Sequence, residues 1–196
     1  DVMNNISHDS VNRFLEREQF EPKDLFDEVK DSIELVGGIL SVDDSVLDKP
    51  YMNPKKAALI GNYWSGKHKC IVKGVNLITL FYTDIHGASV PVSYRLYDKS
   101  HGKTKNDYFI DMLKEALLWG LKPSWVTGDS WYSSIANLKK IRQLNLNFMF
   151  GIEMNRTISI ERGQYIQVQK LEDWQADEQT VYLKEYGMVK VFRQIY

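Results

Sequence analysis

The order of strand-like and helix-like segments between residues 39 and 152 admits few folds. A short strand comes first, an antiparallel hairpin follows, and two amphipathic helices then alternate with two further strands. The segments are 39–42, 69–83, 90–97, 105–119, 125–127, 132–143 and 147–152. Connections between parallel strands are right-handed, so the fourth strand should lie parallel to and beside the first. The pattern predicts an α/β fold with a mixed five-stranded sheet in the order 3-2-1-4-5.

The segments on either side of this core have different patterns. Residues 1–36 predict two short amphipathic helices, at 8–20 and 23–36, and residues 49–66 predict a long polar loop with two prolines and two glycines. Beyond the core, residues 155–196 change to short β-like runs separated by turn residues. We therefore expect an N-terminal helical segment (1–36), an α/β core (37–154) and the start of a β-rich insertion (155–196).

Charge is distributed unevenly along a chain whose net charge is only −1. Residues 1–48 hold 13 acids and 4 bases, whereas residues 49–83 hold six lysines and no acid. The distribution of charge matters more than the net charge, and a basic stretch of this kind is typical either of a surface for a polyanionic partner or of a solvated lysine-rich loop. The single cysteine excludes an internal disulfide and is typical of a reducing cytoplasm. No apolar run has the roughly 20 residues that a membrane span needs.

Two aspartates stand at the ends of predicted neighbouring strands. Asp44 follows the first strand and Asp129 follows the fourth. Ligands of open α/β sheets bind at the carboxyl ends of the strands, and adjacent strands lie about 5 Å apart. Two carboxylates that meet there repel one another unless a cation lies between them. Oxygen ligands without histidine or thiolate favour Mg²⁺ or Mn²⁺.

The segments around these aspartates resemble DDE transposases of bacterial insertion sequences. Residues 41–50 (SVDDSVLDKP) are similar to the first catalytic segment of that family, and residues 126–132 (VTGDSWY) to the second. Intervening pieces follow in the expected order: WSGKHK at 64–69, GVNL at 74–77, VPV at 90–92 and KNDYF at 105–109. The likeness extends over about residues 7–196. It implies a ribonuclease-H-like catalytic core and cut-and-paste transposition of DNA, with strand cleavage and 3′-hydroxyl strand transfer.

The resemblance also implies which acids bind metal. The family's first ligand is the acid directly before Ser or Thr, which is Asp44, and the second ligand is Asp129; two Mg²⁺ or Mn²⁺ ions bind in the complete enzyme. Side chains alternate along a strand, so Asp43 should point to the opposite face. The family's third acid, a glutamate on a later helix, is expected beyond residue 196, which predicts a fragment without transposition activity. Glu153 is the one substitute within the chain that we can place near the site.

The resemblance makes double-stranded DNA the expected partner, both as transposon ends and as target. Phosphate contacts dominate such binding. The residues predicted to contact DNA are Lys55, Lys56, Lys67, Lys69, Lys73 and Trp131. Trp131 and Trp64 could stack on unpaired bases, although core packing is an equal alternative for each. A homodimer in the synaptic complex and a location at bacterial nucleoid DNA in the cytoplasm are further expectations.

Two alternatives belong to different functional classes. One is a ribonuclease-H-like metal nuclease, which would share Asp44 and Asp129 but would not join DNA ends. The other is a non-catalytic DNA-binding fragment of a decayed element, which the missing third acid favours. A serine nucleophile is not expected, because no histidine accompanies Ser130 and Ser133.

Overall fold

The computed structural model describes residues 9–10, 13, 17–53, 59–161, 163–171 and 178–192. Its helices are α1 (Pro22–Val29), α2 (Lys105–Leu118) and α3 (Ile135–Gln143), and residues 9–10, 13 and 17 are also helical. Its strands are β1 (Ile39–Asp48), β2 (Gly61–Ser65), β3 (Cys70–Thr83), β4 (Ser89–Leu96), β5 (Trp125–Gly128), β6 (Asn147–Phe150), β7 (Thr157–Ser159), β8 (Tyr165–Gln167), β9 (Glu178–Leu183) and β10 (Gly187–Phe192). Among the described residues, no helix has both the length and the apolar character to cross a bilayer.

The main sheet is mixed, and its central strands run in the order β4-β3-β1-β5-β6. β1 pairs antiparallel with β3, and β3 pairs antiparallel with β4, whereas β1, β5 and β6 run parallel to one another. This is the predicted order 3-2-1-4-5, and the prediction of an α/β fold with a ribonuclease-H-like strand arrangement is confirmed. The hairpin β3–β4 forms because a tight turn joins two strands of β-branched and aromatic residues.

Two details of the predicted strands are wrong. Residues 61–65 were expected in a loop but form β2, which pairs with residues 70–74 of β3. The glycines at 61 and 66 favoured a loop, although the residues between them alternate between buried and exposed positions: Tyr63 and Ser65 are buried and Trp64 is exposed. β1 is also longer than expected, because β3 continues to pair with it as far as Asp48.

One face of the main sheet forms the core with the helices. Leu40, Val42 and Val126 on this face are buried against Phe109 and Met112 of α2. Burying one such large side chain contributes roughly 1.5–3 kcal/mol, so this face fixes the strand register.

The start of α2 is as predicted. Thr104 and Asp107 form a reciprocal capping box that satisfies two free backbone N–H groups. After its last turn, Gly120 adopts a φ of +107°, which glycine tolerates best. α2 therefore begins at a fixed position beside the sheet, and Lys105, its first residue, is positioned there.

A second sheet, in the order β10-β9-β7-β8, forms the predicted β-rich segment. Its buried residues Ile158, Val181 and Leu183 share an apolar cluster with Leu138 of α3 and with Phe148 of β6. The cluster therefore crosses the division expected at residue 154. Of the first predicted helix, 8–20, six of the 13 residues lie outside the described part of the chain, and the second helix is shorter than expected because a 3-10 turn follows Val29.

Candidate active site on β1 and β5

Asp44 lies within β1 and does not end it, in contrast to the expectation from the sequence. Its register partner is Ile78 of β3. The last pair between β1 and β5 is Val42 with Gly128, so Asp44 lies just past the point where these parallel strands separate. Asp44 follows the alternation of Leu40 and Val42 and is directed to the same face of the sheet as these core residues.

Asp129 directly follows β5 and begins a short 3-10 turn, Ser130–Tyr132. Its carboxylate accepts a hydrogen bond of 3.0 Å from the backbone N–H of Trp131. Gly128 allows this segment to approach β1, because a Cβ there would lie 2.7 Å from Val42 Cγ1 and 2.9 Å from Phe150 Cε1. The backbone at Asp129 is thus held close to β1 by the absence of a side chain at the preceding position.

Three donors surround the carboxylate of Asp44. Lys105 Nζ and Asn76 Nδ2 each lie 2.7 Å from Oδ2, and the hydroxyl of Tyr132 donates to Oδ1 at 3.0 Å. Tyr132 and Asn76 are fully buried. These contacts come from β3, from the start of α2 and from the turn after β5, so three elements fix one side chain.

The two aspartates interact electrostatically. The pKa of Asp129 is raised above its ordinary value, first by burial and then by the negative charges of Asp43 and Asp44, while the N–H groups of Trp131 and Tyr132 oppose the shift. The pKa of the Tyr132 phenol is raised by burial and by the charge of Asp44, so Tyr132 remains a hydrogen-bond donor. Negative charge is therefore concentrated where β1 and β5 separate.

Asp43 lies on the exposed side of β1, as alternation along the strand predicts. Its Oδ1 accepts a hydrogen bond of 2.8 Å from the backbone N–H of Asp44. The neighbouring acids thus have different environments, one exposed and one enclosed by donors.

The groups near Asp44 suit a hard divalent cation. Asp44 and Asp129 supply carboxylate oxygens, and Asn76 Oδ1 is a buried oxygen that lacks a hydrogen-bond partner among the described residues. The ammonium of Lys105 already places one cation against Asp44. No group of three or more His, Cys, Asp or Glu suited to hold a metal occurs in the described part of the chain. Glu153 accepts a hydrogen bond of 2.6 Å from Ser130, the residue after Asp129, and so lies near the site without joining such a group.

The residues predicted to contact DNA lie in two places. Lys67 and Lys69 are exposed in the turn between β2 and β3, and Lys73 lies in β3 opposite Asn62. Trp131 lies beside Asp129 and is 61% exposed, which excludes the alternative of core packing. Trp64 is also exposed, at 64%. Lys55 and Lys56 lie outside the described residues.

Lys105, Asn76 and Tyr132 are the site residues that the sequence did not identify. Each lies in a segment that carried the family resemblance, but the pattern gave no role to any of them. Tyr132 has a local signal, since it is three residues after Asp129 and closes the turn that Asp129 begins. Lys105 and Asn76 reach Asp44 from 61 and 32 residues away, which only the folded chain reveals.

Comparison with known proteins identifies the family. The chain belongs to the family described as DDE superfamily endonuclease, which it matches over residues 2–168. No curated protein matches it significantly.

Two solved structures have weak similarity to the chain. The Drosophila P element transposase strand transfer complex is 11% identical, with a TM-score of 0.39 over 83% of this chain and 40% of that one. The simian T-cell lymphotropic virus intasome in complex with PP2A regulatory subunit B56 gamma is 15% identical, with a TM-score of 0.34 over 63% of this chain and 35% of that one. The alignments thus span less than half of each of those chains.

Proposed function

We propose that this chain is the catalytic core of a DNA transposase, in which Asp44 and Asp129 bind divalent metal for strand cleavage and 3′-hydroxyl transfer. The observation that carries the proposal is their placement where the neighbouring parallel strands β1 and β5 separate, Asp44 just past the last strand pair and Asp129 directly after β5. Endonuclease-type chemistry follows from the family. The metal, the transfer step and the roles of these two acids are the proposal.

The surrounding residues would orient the acids for this chemistry. Bound Mg²⁺ or Mn²⁺ ions would activate a water or a 3′-hydroxyl and stabilise the leaving oxygen. Asn76 and Tyr132 hold the Asp44 carboxylate in one orientation through hydrogen bonds of 2.7 and 3.0 Å. The N–H of Trp131 does the same for Asp129. Asp43 faces away and would act only through its charge.

DNA would reach this site across a basic and aromatic surface. Lys67, Lys69 and Lys73 belong to the β2–β3 hairpin, and Trp131 is exposed beside Asp129. Lysines on a solvated hairpin suit the phosphate backbone, and an exposed indole suits stacking on an unpaired base. We propose Lys55 and Lys56 as further contacts, transposon ends and target DNA as the substrates, a homodimer as the active form, and the bacterial nucleoid as its location.

A second candidate is DNA binding without catalysis. It is favoured by one observation: the described residues bring only two acids into the site, with Glu153 nearby but bonded to Ser130. In this case the chain binds DNA through the same lysines and does not cleave it. A nuclease of the same fold is the remaining possibility, and it would cleave DNA without producing joined ends.

Calorimetric titration with Mn²⁺ tests the metal site. The wild type is compared with a double variant, Asp44→Ala with Asp129→Ala, and with Asp43→Ala as a matched control on the other face of β1. We expect weak binding in the wild type, at least about tenfold weaker binding in the double variant, and little change in the control. Equal binding by the wild type and the double variant would contradict the proposal.

A further inference from the structure

Lys105 occupies a position that the stability of α2 does not explain. It is the first residue of the helix, directly after the N-cap Thr104. A cation in the first turn is disfavoured by the helix dipole, and enclosing an ammonium costs hydration energy. The side chain of Lys105 is nevertheless only 18% exposed, and that of its partner Asp44 only 16%. The carboxylate of Asp44 is therefore the group that compensates this lysine.

The ammonium of Lys105 also lies near an exposed aromatic ring. Its Nζ lies 2.7 Å from Asp44 Oδ2 and 5.8 Å from the centre of the Trp131 ring. Trp131 is exposed, so the lysine lies between an enclosed carboxylate and a solvent-exposed indole ring. A cation at this distance from an indole ring is attracted by the ring face. The ammonium of Lys105 thus lies against the Asp44 carboxylate and within attractive distance of the Trp131 ring at the same time.

We propose that Lys105 is a displaceable internal cation: it neutralises Asp44 before metal binds, and after metal binds it moves to a DNA phosphate beside Trp131. The inference rests on the proposed metal site at Asp44. A divalent ion bound to the Asp44 carboxylate repels the ammonium of Lys105, so metal binding favours displacement of the lysine. Lys105 then couples metal binding to DNA binding.

The first consequence concerns metal affinity without DNA. Replacing Lys105 by Met removes the competing charge, and Lys105→Gln removes the charge while keeping a donor for Asp44. Both variants should bind Mn²⁺ about fivefold more tightly than the wild type. A change of this size corresponds to the free energy of one partly exposed ion pair. Lys105→Arg keeps the charge and should remain close to the wild type.

Lys103→Met is the matched control for this titration. Lys103 lies two residues away and pairs with Asp111 at 2.8 Å, not with Asp44. Its replacement removes the same charge and should leave Mn²⁺ affinity unchanged. If Lys105→Met and Lys105→Gln bind Mn²⁺ no more tightly than Lys103→Met, the displacement of Lys105 by metal is overturned. If the Asp44 and Asp129 double variant also binds like the wild type, the metal site itself is wrong, so the two failures are distinguishable.

The second consequence concerns the coupling. Mn²⁺ should increase the affinity of the wild type for a fluorescein-labelled DNA duplex, measured by anisotropy in Mn²⁺ and in EDTA. Lys105→Met should lose most of this gain, and in Mn²⁺ its log affinity should depend on log salt with a slope smaller by about 0.9, the effect of one phosphate contact. Lys103→Met should keep the gain. A full gain in Lys105→Met would overturn the transfer of Lys105 to phosphate.

Discussion

The hydroxyl of Tyr132 donates a hydrogen bond of 3.0 Å to Asp44 Oδ1, and it joins two segments that are 88 residues apart in the chain. Tyr132 closes the turn that Asp129 begins, so the bond ties the position of one candidate ligand to the position of the other. Tyr132 is fully buried and its ring packs edge-on against Phe109 of α2. The packing of Tyr132 in the core therefore helps to fix the geometry of the site.

Tyr132→Phe should therefore destabilise the chain without creating a cavity. The change removes one hydrogen bond to a charged acceptor and leaves the ring in place, so we expect a loss of about 1–2 kcal/mol in the free energy of unfolding. Urea denaturation followed by circular dichroism measures this loss. Tyr94→Phe is the control, since its hydroxyl makes a longer, exposed bond of 3.3 Å to Phe20 O and should cost less than about 0.5 kcal/mol. Equal losses in the two variants would show that the hydrogen bond to Asp44 contributes no more to the free energy of unfolding than the exposed bond of Tyr94.

Gly128→Ala should disturb both stability and the site. The added methyl group would lie 2.7 Å from Val42 Cγ1 and 3.0 Å from Val42 O, so β5 must move away from β1. Overpacking of this kind costs about 1–3 kcal/mol. Gly66→Ala is a suitable control, because nothing in the described part of the chain lies within 4 Å of the place its methyl group would take. Thermal unfolding compares the two, and an equal melting temperature for Gly128→Ala and wild type would contradict the close approach of the strands.

The strand order was predictable because hydrophobic periodicity and right-handed connection leave few arrangements. The alternation along β1 likewise gave the opposite directions of Asp43 and Asp44. β2 escaped prediction because its alternation covers only five residues between glycines. The full length of β1 also escaped prediction, because it depends on pairing with β3, which lies later in the chain.

The partners of Asp44 could not be predicted from the sequence. Lys105 and Asn76 lie on different elements, and their contacts depend on how α2 and β3 are placed against β1. A lysine at the first position of a helix is an ordinary surface residue in any one-dimensional pattern. Only tertiary packing makes it the counter-ion of a largely enclosed carboxylate.

Asp84 should give the chain a pH-dependent stability. Its carboxylate accepts hydrogen bonds from the N–H groups of Glu34, His86 and Ala88 at 2.8–3.1 Å, and the bond from Glu34 is the main cause of its lowered pKa. A lowered pKa means that the contribution is fully present above the ordinary value of 3.8 and is lost as the pH falls through the folded-state value. Asp84→Asn removes the charge and keeps one acceptor oxygen.

The measurement for Asp84 is the difference in urea midpoint between wild type and Asp84→Asn at pH 7, 5 and 3. We expect the wild type to be more stable at pH 7 and 5 and the difference to shrink at pH 3, because the wild-type carboxylate begins to protonate. Other titrating groups are shared by both proteins and cancel in the difference. A difference that stays constant or widens towards pH 3 would contradict the assignment.

The β2–β3 hairpin should carry a measurable part of the affinity for DNA. Lys67 and Lys69 lie in its turn, Lys73 lies further along β3, and the exposed cross-strand pair Trp64–Ile71 belongs to the same hairpin. Replacing the three lysines by Gln should weaken binding to a DNA duplex. The slope of log affinity against log salt should fall by up to about 0.9 for each phosphate that is no longer neutralised.

The control removes the same charge from exposed lysines elsewhere, Lys114, Lys122 and Lys140, and should change the slope little. Fluorescence anisotropy over roughly 50 to 200 mM salt separates the cases. If both triple variants weaken binding equally, the hairpin acts only through net charge; a loss confined to the hairpin variant identifies the DNA-facing surface.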